Sequence, residues 1–206
     1  MTETRQKLLD AAERLMSQNG YAATSLRQII ADAGVNLASV HYHFGSKEEL
    51  LDELVMRRAG PVNEERMAML DRAEAEGGAR GASLERILEA FLAPAFYVRA
   101  THPQFVKLMG RLYGEGMMGL IVRKHFSPLV VRFQAALRRA LPDLDEQELG
   151  WRIHFMIGVM VRAMFGPPDG LYADDPSTEA LIERMVTFVS AGFRARVGQR
   201  ERVEVD

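Results

Sequence analysis

The sequence contains no cysteine among its 206 residues. Disulfide bonds, thiolate metal sites and cysteine nucleophiles are therefore excluded, and this composition is typical of a protein in a reducing compartment. An excess of positive charge is also absent, since the formal net charge is −2 and the isoelectric point is about 6.2. Any binding to nucleic acid must therefore depend on a local surface and not on the field of the whole molecule.

A hydrophobic run long enough to cross a bilayer is missing as well. The apolar stretch at residues 153–165 is too short to span a membrane, and Arg162 interrupts it. The first residues are amphipathic and charged, unlike a secretory signal, in which a basic segment precedes an apolar one. We therefore expect a cytoplasmic protein that has no membrane partner.

Hydrophobic residues make up 48% of the chain, which is enough for a proper core. They recur with the period of a helix, and the alternation of a strand is almost absent, so the expected fold class is all-α. Pro94 and Pro128 are expected to bend two of the later helices. The helices predicted in the later part of the chain are residues 84–100, 103–113, 118–141, 146–165 and 178–197.

Start and stop signals divide the first part of the chain into short helices. Gly20 is expected to end the first helix, and Gly34 to break a second one that Thr24 or Ser25 caps. Ser46 and Glu49 have the spacing of a capping box, which predicts the start of another helix. That helix should end or kink at Pro61, and residues 73–83 are typical of a linker.

A short third helix is predicted at residues 36–43, and with the preceding helix and glycine turn it makes a helix-turn-helix pattern. A generic helical hairpin would show the same spacing. The outward side chains suit a helix inserted into the major groove of DNA, which is about 12 Å wide. They are Asn36, Ala38, Ser39, His41, Tyr42 and His43. The free N–H groups after Ser46 favour a phosphate, and Lys47 adds a positive charge.

Four pieces of residues 5–51 resemble, as a set, the DNA-binding domain of the TetR family of bacterial transcriptional regulators. They are the GY…AT entry, the AGV turn, the YHF end of the short helix and the SKEELL restart. The resemblance implies an all-α protein with a three-helix helix-turn-helix DNA-binding domain at residues 1–50 and a helical effector-binding and dimerisation domain at residues 51–206. The residues that it places on the phosphates of a double-stranded DNA operator are Thr24, Ser25, Tyr42 and Lys47. Those that it places toward the bases are Arg27, Asn36, Leu37, Ser39 and His41.

The histidines also allow a metal site to be considered. His41 and His43 are two residues apart, so on a helix they point about 200° away from each other and cannot chelate one ion together, whereas on a strand they could. Motifs of metalloproteases, of serine hydrolases and of phosphate-binding loops are absent. No metal, cofactor or catalytic residue is expected. The alternative to a regulator is an all-helical enzyme, or a small-molecule-binding protein without DNA binding.

The last two predicted helices, residues 146–165 and 178–197, are the expected interface of a homodimer. The first of them carries two apolar stripes, of which one can face the core while the other needs a partner. One stripe comprises Leu149, Ile153, Met156, Met160 and Met164, and the other comprises Trp151, Phe155, Gly158 and Phe165. Gly158 and Gly192 would allow a close approach of helices. The alternative is that both are internal core helices.

The middle helices are rich in methionine and aromatic residues, which is typical of an ordinary core or of a ligand pocket. Interruptions by proline and glycine favour a cavity, and methionine adapts to irregular ligands. The candidate ligand-binding residues are Phe105, Met109, Arg111, Tyr113, Met118, His125, Phe126 and Phe133. The expected effector is a small, mostly apolar molecule, fatty-acid-like or aromatic, that releases a repressor from its operator.

Overall fold

The computed structural model describes residues 3–36, 43–165 and 176–196. Within these ranges every regular element is helical, which confirms the all-α fold class. The α-helices are α1 (Glu3–Asn19), α2 (Leu26–Ala33), α3 (Lys47–Gly77), α4 (Leu84–Thr101), α5 (Pro103–Gly114), α6 (Met118–Ile121), α7 (Ser127–Ala140), α8 (Glu146–Met164) and α9 (Thr178–Arg194). A 3-10 turn lies at Gly78–Arg80 and a π-helical turn at Val122–Phe126. No helix in the described ranges is long and apolar enough to cross a membrane.

The predicted end of the first helix at Gly20 and the predicted helix starts after Ser25 and Ser46 are confirmed, whereas most of the short helix predicted at residues 36–43 lies outside the described residues. α1 ends directly before Gly20. α2 begins after Ser25, which forms a capping box with Gln28, and α3 begins after Ser46, which forms one with Glu49. A capping box gives partners to N–H groups that have none within the first turn of a helix. The starts of α2 and α3 are therefore fixed by residues next to them in the sequence.

α3 does not end at Pro61, one of the two outcomes that the sequence predicted there, but continues to Gly77 with the proline inside it. Pro61 is exposed, so the carbonyl that loses its N–H donor one turn earlier can face water. Beyond the proline, Leu70 and Ala73 are fully buried, and this packing sustains the helix. The predicted linker at residues 73–83 is correspondingly shorter, because its first five residues belong to α3.

The single helix predicted at residues 118–141 is divided into α6, the π-helical turn and α7. Pro128 lies in the first turn of α7, where its missing N–H would have no helical partner in any case. The hydroxyl of Ser127 donates to the carbonyl of Arg123 at 2.6 Å, which supplies part of the bonding that the proline cannot. Pro94, by contrast, lies inside the continuous helix α4.

The buried apolar side chains form two cores. The amino-terminal core joins α1, α2, the first part of α3 and α5, and includes Leu8, Leu9, Met16, Ile29, Leu50, Leu54, Leu108 and Leu112. The carboxy-terminal core joins the later part of α3 with α4, α7, α8 and α9, and includes Leu70, Leu88, Phe96, Phe133, Met156, Met185 and Phe193. Because α3 belongs to both cores and spans residue 50, the domain boundary at residues 50 and 51 stays a prediction.

Candidate nucleic-acid interface

The turn after α2 sets the direction in which the chain leaves that helix. Gly34 has a φ of +65°, a left-handed conformation that costs a residue with a Cβ roughly 1–2 kcal/mol. Its N–H donates to the carbonyl of Ala31 at 3.3 Å, and the N–H of Val35 donates to that of Ile30 at 3.2 Å. This pair of bonds is a Schellman motif, which satisfies the last carbonyls of the helix. The helix-turn of the predicted motif is therefore present and closed by hydrogen bonds.

The segment predicted to carry most of the base contacts, residues 37–42, lies outside the described residues. The roles proposed there for Leu37, Ser39, His41 and Tyr42 stay predictions. Both flanks of the segment are described. Asn36 is exposed, while Phe44 is only 5% exposed and packs in the amino-terminal core, with the guanidinium carbon of Arg5 at 5.7 Å from its ring. The described residues before it are thus fixed by the Schellman turn, and those after it by a buried ring.

Lys47, predicted to hold a phosphate, lies at the first position of α3 and touches the turn before α2. Its ammonium donates to the carbonyl of Tyr21 at 2.5 Å and lies 4.1 Å from the centre of the tyrosine ring. The hydroxyl of Tyr21 donates to a carboxylate oxygen of Glu48 at 3.0 Å. Burial, together with that carboxylate, raises the pKa of Tyr21 to about 12, so the hydroxyl stays protonated and a donor. The cation is therefore positioned at the surface by an aromatic neighbour.

The other predicted contacts of this region differ in exposure. Ser25 and Arg27 are exposed at the start of α2. Thr24 is 1% exposed, and its hydroxyl donates to the carbonyl of Gly20 at 2.7 Å, so in this structure its side chain supports the turn. Ser25 and Arg27 are therefore accessible at the start of α2, Lys47 is half-buried at the start of α3, and the phosphate contacts of all these residues, like that of Thr24, stay predictions.

Two side chains from α5 and the turn after it hold the end of α1 and the loop that follows it. Arg111 donates to the carbonyls of Ser17 at 3.1 Å and Gln18 at 2.7 Å, which are among the last carbonyls of α1 and have no partner within that helix. Glu115 accepts from the N–H groups of Tyr21 at 3.0 Å and Ala22 at 3.2 Å. A cation thus meets carbonyls and an anion meets N–H groups, which ties the loop before α2 to α5.

Gly20 makes this approach of Glu115 possible. Its φ is +91°, and a Cβ at this position would lie 2.3 Å from Oε1 of Glu115. Any other residue would be strained by its backbone and would also displace the carboxylate.

A second connection joins α3 to the π-helical turn. The imidazole Nε2 of His125 lies 2.8 Å from a carboxylate oxygen of Asp52, and Lys124 pairs with the other oxygen. Burial of Asp52 acts to raise its pKa, but the hydrogen bonds and charges of Lys124 and His125 outweigh it and hold the pKa below its ordinary value. The carboxylate is therefore charged at neutral pH, and it fixes the π-helical turn against the helix that begins at Lys47.

The residues predicted to line a ligand pocket are divided between the two cores and the surface, and their role in binding an effector stays a prediction. Phe105, Met109 and Met118 pack on the amino-terminal core, Phe133 lies in the carboxy-terminal core, and Phe126 contacts both. Tyr113 is 55% exposed. Arg111 lines an open cleft of about 550 Å³ with Lys107, Gly110, Gly114, Glu115 and Phe165, none of which belongs to the predicted set. Two of the predicted polar anchors, Arg111 and His125, instead bind the amino-terminal helices.

The outer face of α8 and α9 exposes large aromatic side chains. The two stripes predicted on α8 are present, because Leu149 and Met156 are buried while Trp151, Phe155 and Phe165 are 52%, 59% and 48% exposed. The ring centres of Trp151 and Phe155 lie 5.8 Å apart in a stacked arrangement. On α9, Phe188 is 66% exposed. A Cβ at Gly158 or Gly192 would meet no atom within 4 Å, so the backbone is accessible beside these rings.

Comparison with known proteins assigns the family. A family model described as "Bacterial regulatory proteins, tetR family" matches residues 8–54, and one described as "Tetracyclin repressor-like, C-terminal domain" matches residues 89–192. The second match alone covers half of the chain, and it includes α5, α8 and most of α9. The chain belongs to the TetR family of bacterial transcriptional regulators. Its amino-terminal helices are accordingly the DNA-binding part of a TetR-family protein.

Relatives of this TetR-family chain match it over different lengths. The transcriptional regulator BetI of Rhizobium meliloti is 29% identical over 204 residues, 93% of this chain and 90% of that protein. AcrR of Shigella flexneri is 46% identical over 52 residues, which cover only 24% of its length. Both are regulators by name, as the sequence predicted in preference to an enzyme. In the ranges that the structure describes, no three histidine, aspartate or glutamate side chains form a possible metal site.

Solved structures show the same fold at low sequence identity. The fatty acid degradation regulator FadR of Bacillus halodurans superposes with a TM-score of 0.67 at 15% identity, and covers 95% of this chain and 99% of its own. The ketosteroid regulator KstR2 of Mycobacterium tuberculosis superposes with a TM-score of 0.65 at 19% identity, covering 93% and 95%. The arrangement of both halves in this chain is thus that of other TetR-family regulators.

Sequence reasoning missed Glu115 and Arg66. Glu115 lies in a glycine-rich turn and contacts residues more than 90 positions away, so no local signal marks it. Arg66 had a signal: it shares the period of Ala59, Leu70 and Ala73, which are the buried positions of α3. A charged residue at a core position of an amphipathic helix marks a buried polar site.

Proposed function

We propose that this TetR-family protein is a homodimeric repressor that binds a double-stranded DNA operator and is released from it by a small, mostly apolar effector. The observation that carries the proposal is the set of contacts between the DNA-binding helices and the second half of the chain. Arg111 binds the end of α1, Glu115 binds the loop before α2, and His125 binds the first part of α3. A rearrangement of α5 or of the π-helical turn would therefore move these DNA-binding helices.

The charges of the first 50 residues support a DNA surface with few cations. This part of the chain has five basic side chains, Arg5, Lys7, Arg14, Arg27 and Lys47, against six acidic ones. The first three are paired with Glu53, Glu3 and Asp32. Arg27 and Lys47 form no ion pair with an acid of the described residues. We infer that helix N-termini and few cations hold the phosphates, and that the dependence of affinity on salt is accordingly small.

The aromatic face of α8 and α9 supports a dimer. Monomeric proteins seldom expose several large aromatic side chains side by side, and such a surface is typical of an interface. The open backbone at Gly158 and Gly192 would allow helices of two protomers to approach closely. Antiparallel pairing of α8 and α9 with their copies would make a four-helix interface. A dimer of this kind presents two reading helices to half-sites about 34–36 Å apart.

The proposed mechanism is a shift between two states of the dimer. In one state the two reading helices have the spacing of the operator, and in the other they are spread or tilted. The effector must bind the second state more tightly, because a ligand with equal affinity for both shifts nothing. A change from 1:99 to 99:1 requires a difference in binding free energy of about 5.5 kcal/mol.

The proposal is tested by a mobility-shift assay with DNA flanking the protein's own gene, followed by footprinting of the bound fragment. We expect a protected site with two related half-sites and a complex that contains two protomers. A scrambled fragment of equal length is the control. Equal affinity for the scrambled fragment, or a complex with a single protomer, would refute the proposal.

A further inference from the structure

Arg66 is a buried cation that forms no ion pair with an acid of the described residues. It lies in α3 and is 5% exposed. Its Nε–H donates to the carbonyl of Phe91 at 2.7 Å, one Nη donates to Oδ1 of Asn63 at 3.3 Å, and the other faces the sulfur of Met160 at 3.9 Å. No carboxylate of the described residues pairs with it. Burial lowers the pKa of Arg66 to about 10, so the guanidinium is still charged at neutral pH.

Arg152, a second arginine buried at the carboxy-terminal core among the described residues, has an acceptor for each of its three nitrogens. It is 6% exposed, and its Nε–H donates to Glu148 at 2.8 Å. Its two Nη atoms donate to the carbonyls of Phe193 and Ala195. Arg152 thus has one acid and two carbonyl oxygens as acceptors, which accounts for its burial in structural terms. Arg66 has one carbonyl, one long bond to an amide and a sulfur contact.

Structure explains only one of the bonds of Arg66. Pro94 in α4 leaves the carbonyl of Ala90, four residues earlier, without a helical N–H donor. The Nε–H of Arg66 donates to the neighbouring carbonyl of Phe91. The ring of Phe91, whose centre lies 4.5 Å from the guanidinium carbon, further stabilises the cation. The Nη side of the guanidinium, which has four N–H groups, has no comparable partner.

The surroundings of Arg66 are apolar and adaptable. The guanidinium lies against the ring of Phe91 and the sulfur of Met160, and other methionines partly buried on the carboxy-terminal core are Met67, Met69 and Met164. Methionine side chains can rearrange to admit ligands of irregular shape. An occupant of this region would need an apolar body for the methionines and an anionic group for the guanidinium, since a planar guanidinium binds a carboxylate through two parallel hydrogen bonds.

We propose that Arg66 is the anchor of the effector site and that the effector is an amphiphilic carboxylate, a carboxyl group on an aliphatic or aromatic body. This inference rests on the proposed function, in which the effector is small and mostly apolar. It moves the polar anchor away from Arg111 and His125, which are engaged with the amino-terminal helices. Arg66 and Lys47 lie on the same helix, about 28 Å apart at 1.5 Å per residue, so a carboxylate that draws in the guanidinium acts directly on the helix that carries a predicted DNA contact.

The test uses the full chain and titration calorimetry without DNA. The probes are octanoate, decanoate, dodecanoate and 4-phenylbutyrate, each compared with the primary alcohol of the same skeleton. We expect at least one carboxylate to bind at a single saturable site, at least tenfold more tightly than its alcohol. Failure of all four carboxylates to bind, or equal affinity for acid and alcohol, would overturn the inference.

Substitutions at Arg66 decide whether the preference comes from this residue. Arg66→Met should weaken carboxylate binding at least tenfold and remove the difference between acid and alcohol. Arg66→Lys, which keeps the charge but not the paired geometry, should retain part of the preference and serves if the methionine variant does not fold. The matched control is Arg72→Met, on the same helix, whose side chain is 58% exposed and paired with Glu65. A preference for the acid that survives in both Arg66 variants would refute the assignment.

The melting temperature without ligand separates a ligand anchor from a structural arginine. Arg66→Met removes a buried charge, but it also leaves the carbonyl of Phe91 without this donor, so its melting temperature without ligand should fall only modestly. A structural role predicts a large fall in melting temperature and unchanged carboxylate binding, which would overturn the proposal. Operator affinity is measured separately. Carboxylates that bind through Arg66 without releasing the operator would contradict the proposed function but not the assignment of Arg66 as a carboxylate anchor.

Discussion

If the proposed dimer forms through α8 and α9, replacement of Phe188 by alanine should convert it into monomers. An aromatic side chain buries roughly 150–250 Å² when enclosed, and 66% of Phe188 is open to solvent in one protomer, so about 130 Å² is available to a partner. At about 25 cal/mol per Å² this area is worth about 3 kcal/mol. Alanine retains part of it, so each protomer loses about 2 kcal/mol.

A symmetric interface contains the residue twice, so the dimer loses about 4 kcal/mol, which corresponds to roughly a 1000-fold rise in its dissociation constant. Sedimentation equilibrium over a range of protein concentrations measures this constant, and circular dichroism melting shows whether the protomer stays folded. Tyr97→Ala is the matched control, since Tyr97 is a 50% exposed aromatic residue of α4 and does not belong to the aromatic face of α8 and α9. An unchanged dissociation constant for Phe188→Ala, or an equal loss in both variants, would refute the proposed interface.

Three further substitutions test the DNA-binding half. Glu115→Gln should lower the free energy of unfolding by about 1 kcal/mol, or about 2–4 °C in melting temperature, because the N–H groups of Tyr21 and Ala22 lose a charged acceptor. Calorimetry that shows no change would mean that the contact contributes nothing to stability. Lys47→Ala should weaken binding to operator and to unrelated DNA alike and should reduce the salt dependence of the affinity by about one ion per subunit. Fluorescence anisotropy at several salt concentrations measures both effects, and a loss of affinity confined to the operator would contradict a phosphate contact. Gly34→Ala should destabilise the fold by about 1–2 kcal/mol, because a Cβ there meets nothing within 4 Å and only the left-handed backbone is unfavourable. A much larger loss of unfolding free energy in a denaturation experiment would contradict this explanation.

Features that depend on neighbouring residues could be predicted from the sequence. The capping boxes at Ser25 and Ser46 each involve a partner three residues away, so their spacing is visible in the sequence. The division of α8 into a buried and an exposed stripe follows from the helical period, and Trp151 and Phe155 are exposed as that period requires. These local rules also give the family resemblance, since the motif residues are those that shape the turns.

Features that depend on distant residues could not be predicted in this way. Whether α3 stops at Pro61 is decided by the packing of Leu70 and Ala73 on α4, not by the proline alone. The polar residues of the middle helices were interpreted as ligand contacts because their partners could not be seen. His125 pairs with Asp52, which lies 73 positions earlier in the chain. A polar side chain on a helix has many possible partners, and only the fold selects one.

The composition of the amino-terminal core has a consequence for exchanging parts between TetR-family proteins. Leu108 and Leu112 of α5 are fully buried against α1 and α3, although they lie about a quarter of the chain length beyond the DNA-binding part at residues 8–54. A hybrid joined near residue 50 would therefore combine the DNA-binding helices of one parent with the α5 of the other parent, whose side chains have not been selected to pack on them. To transfer DNA specificity intact, an exchange should move α5 and the turn after it together with the first helices. The unit that determines DNA binding is therefore larger than the segment that contacts DNA.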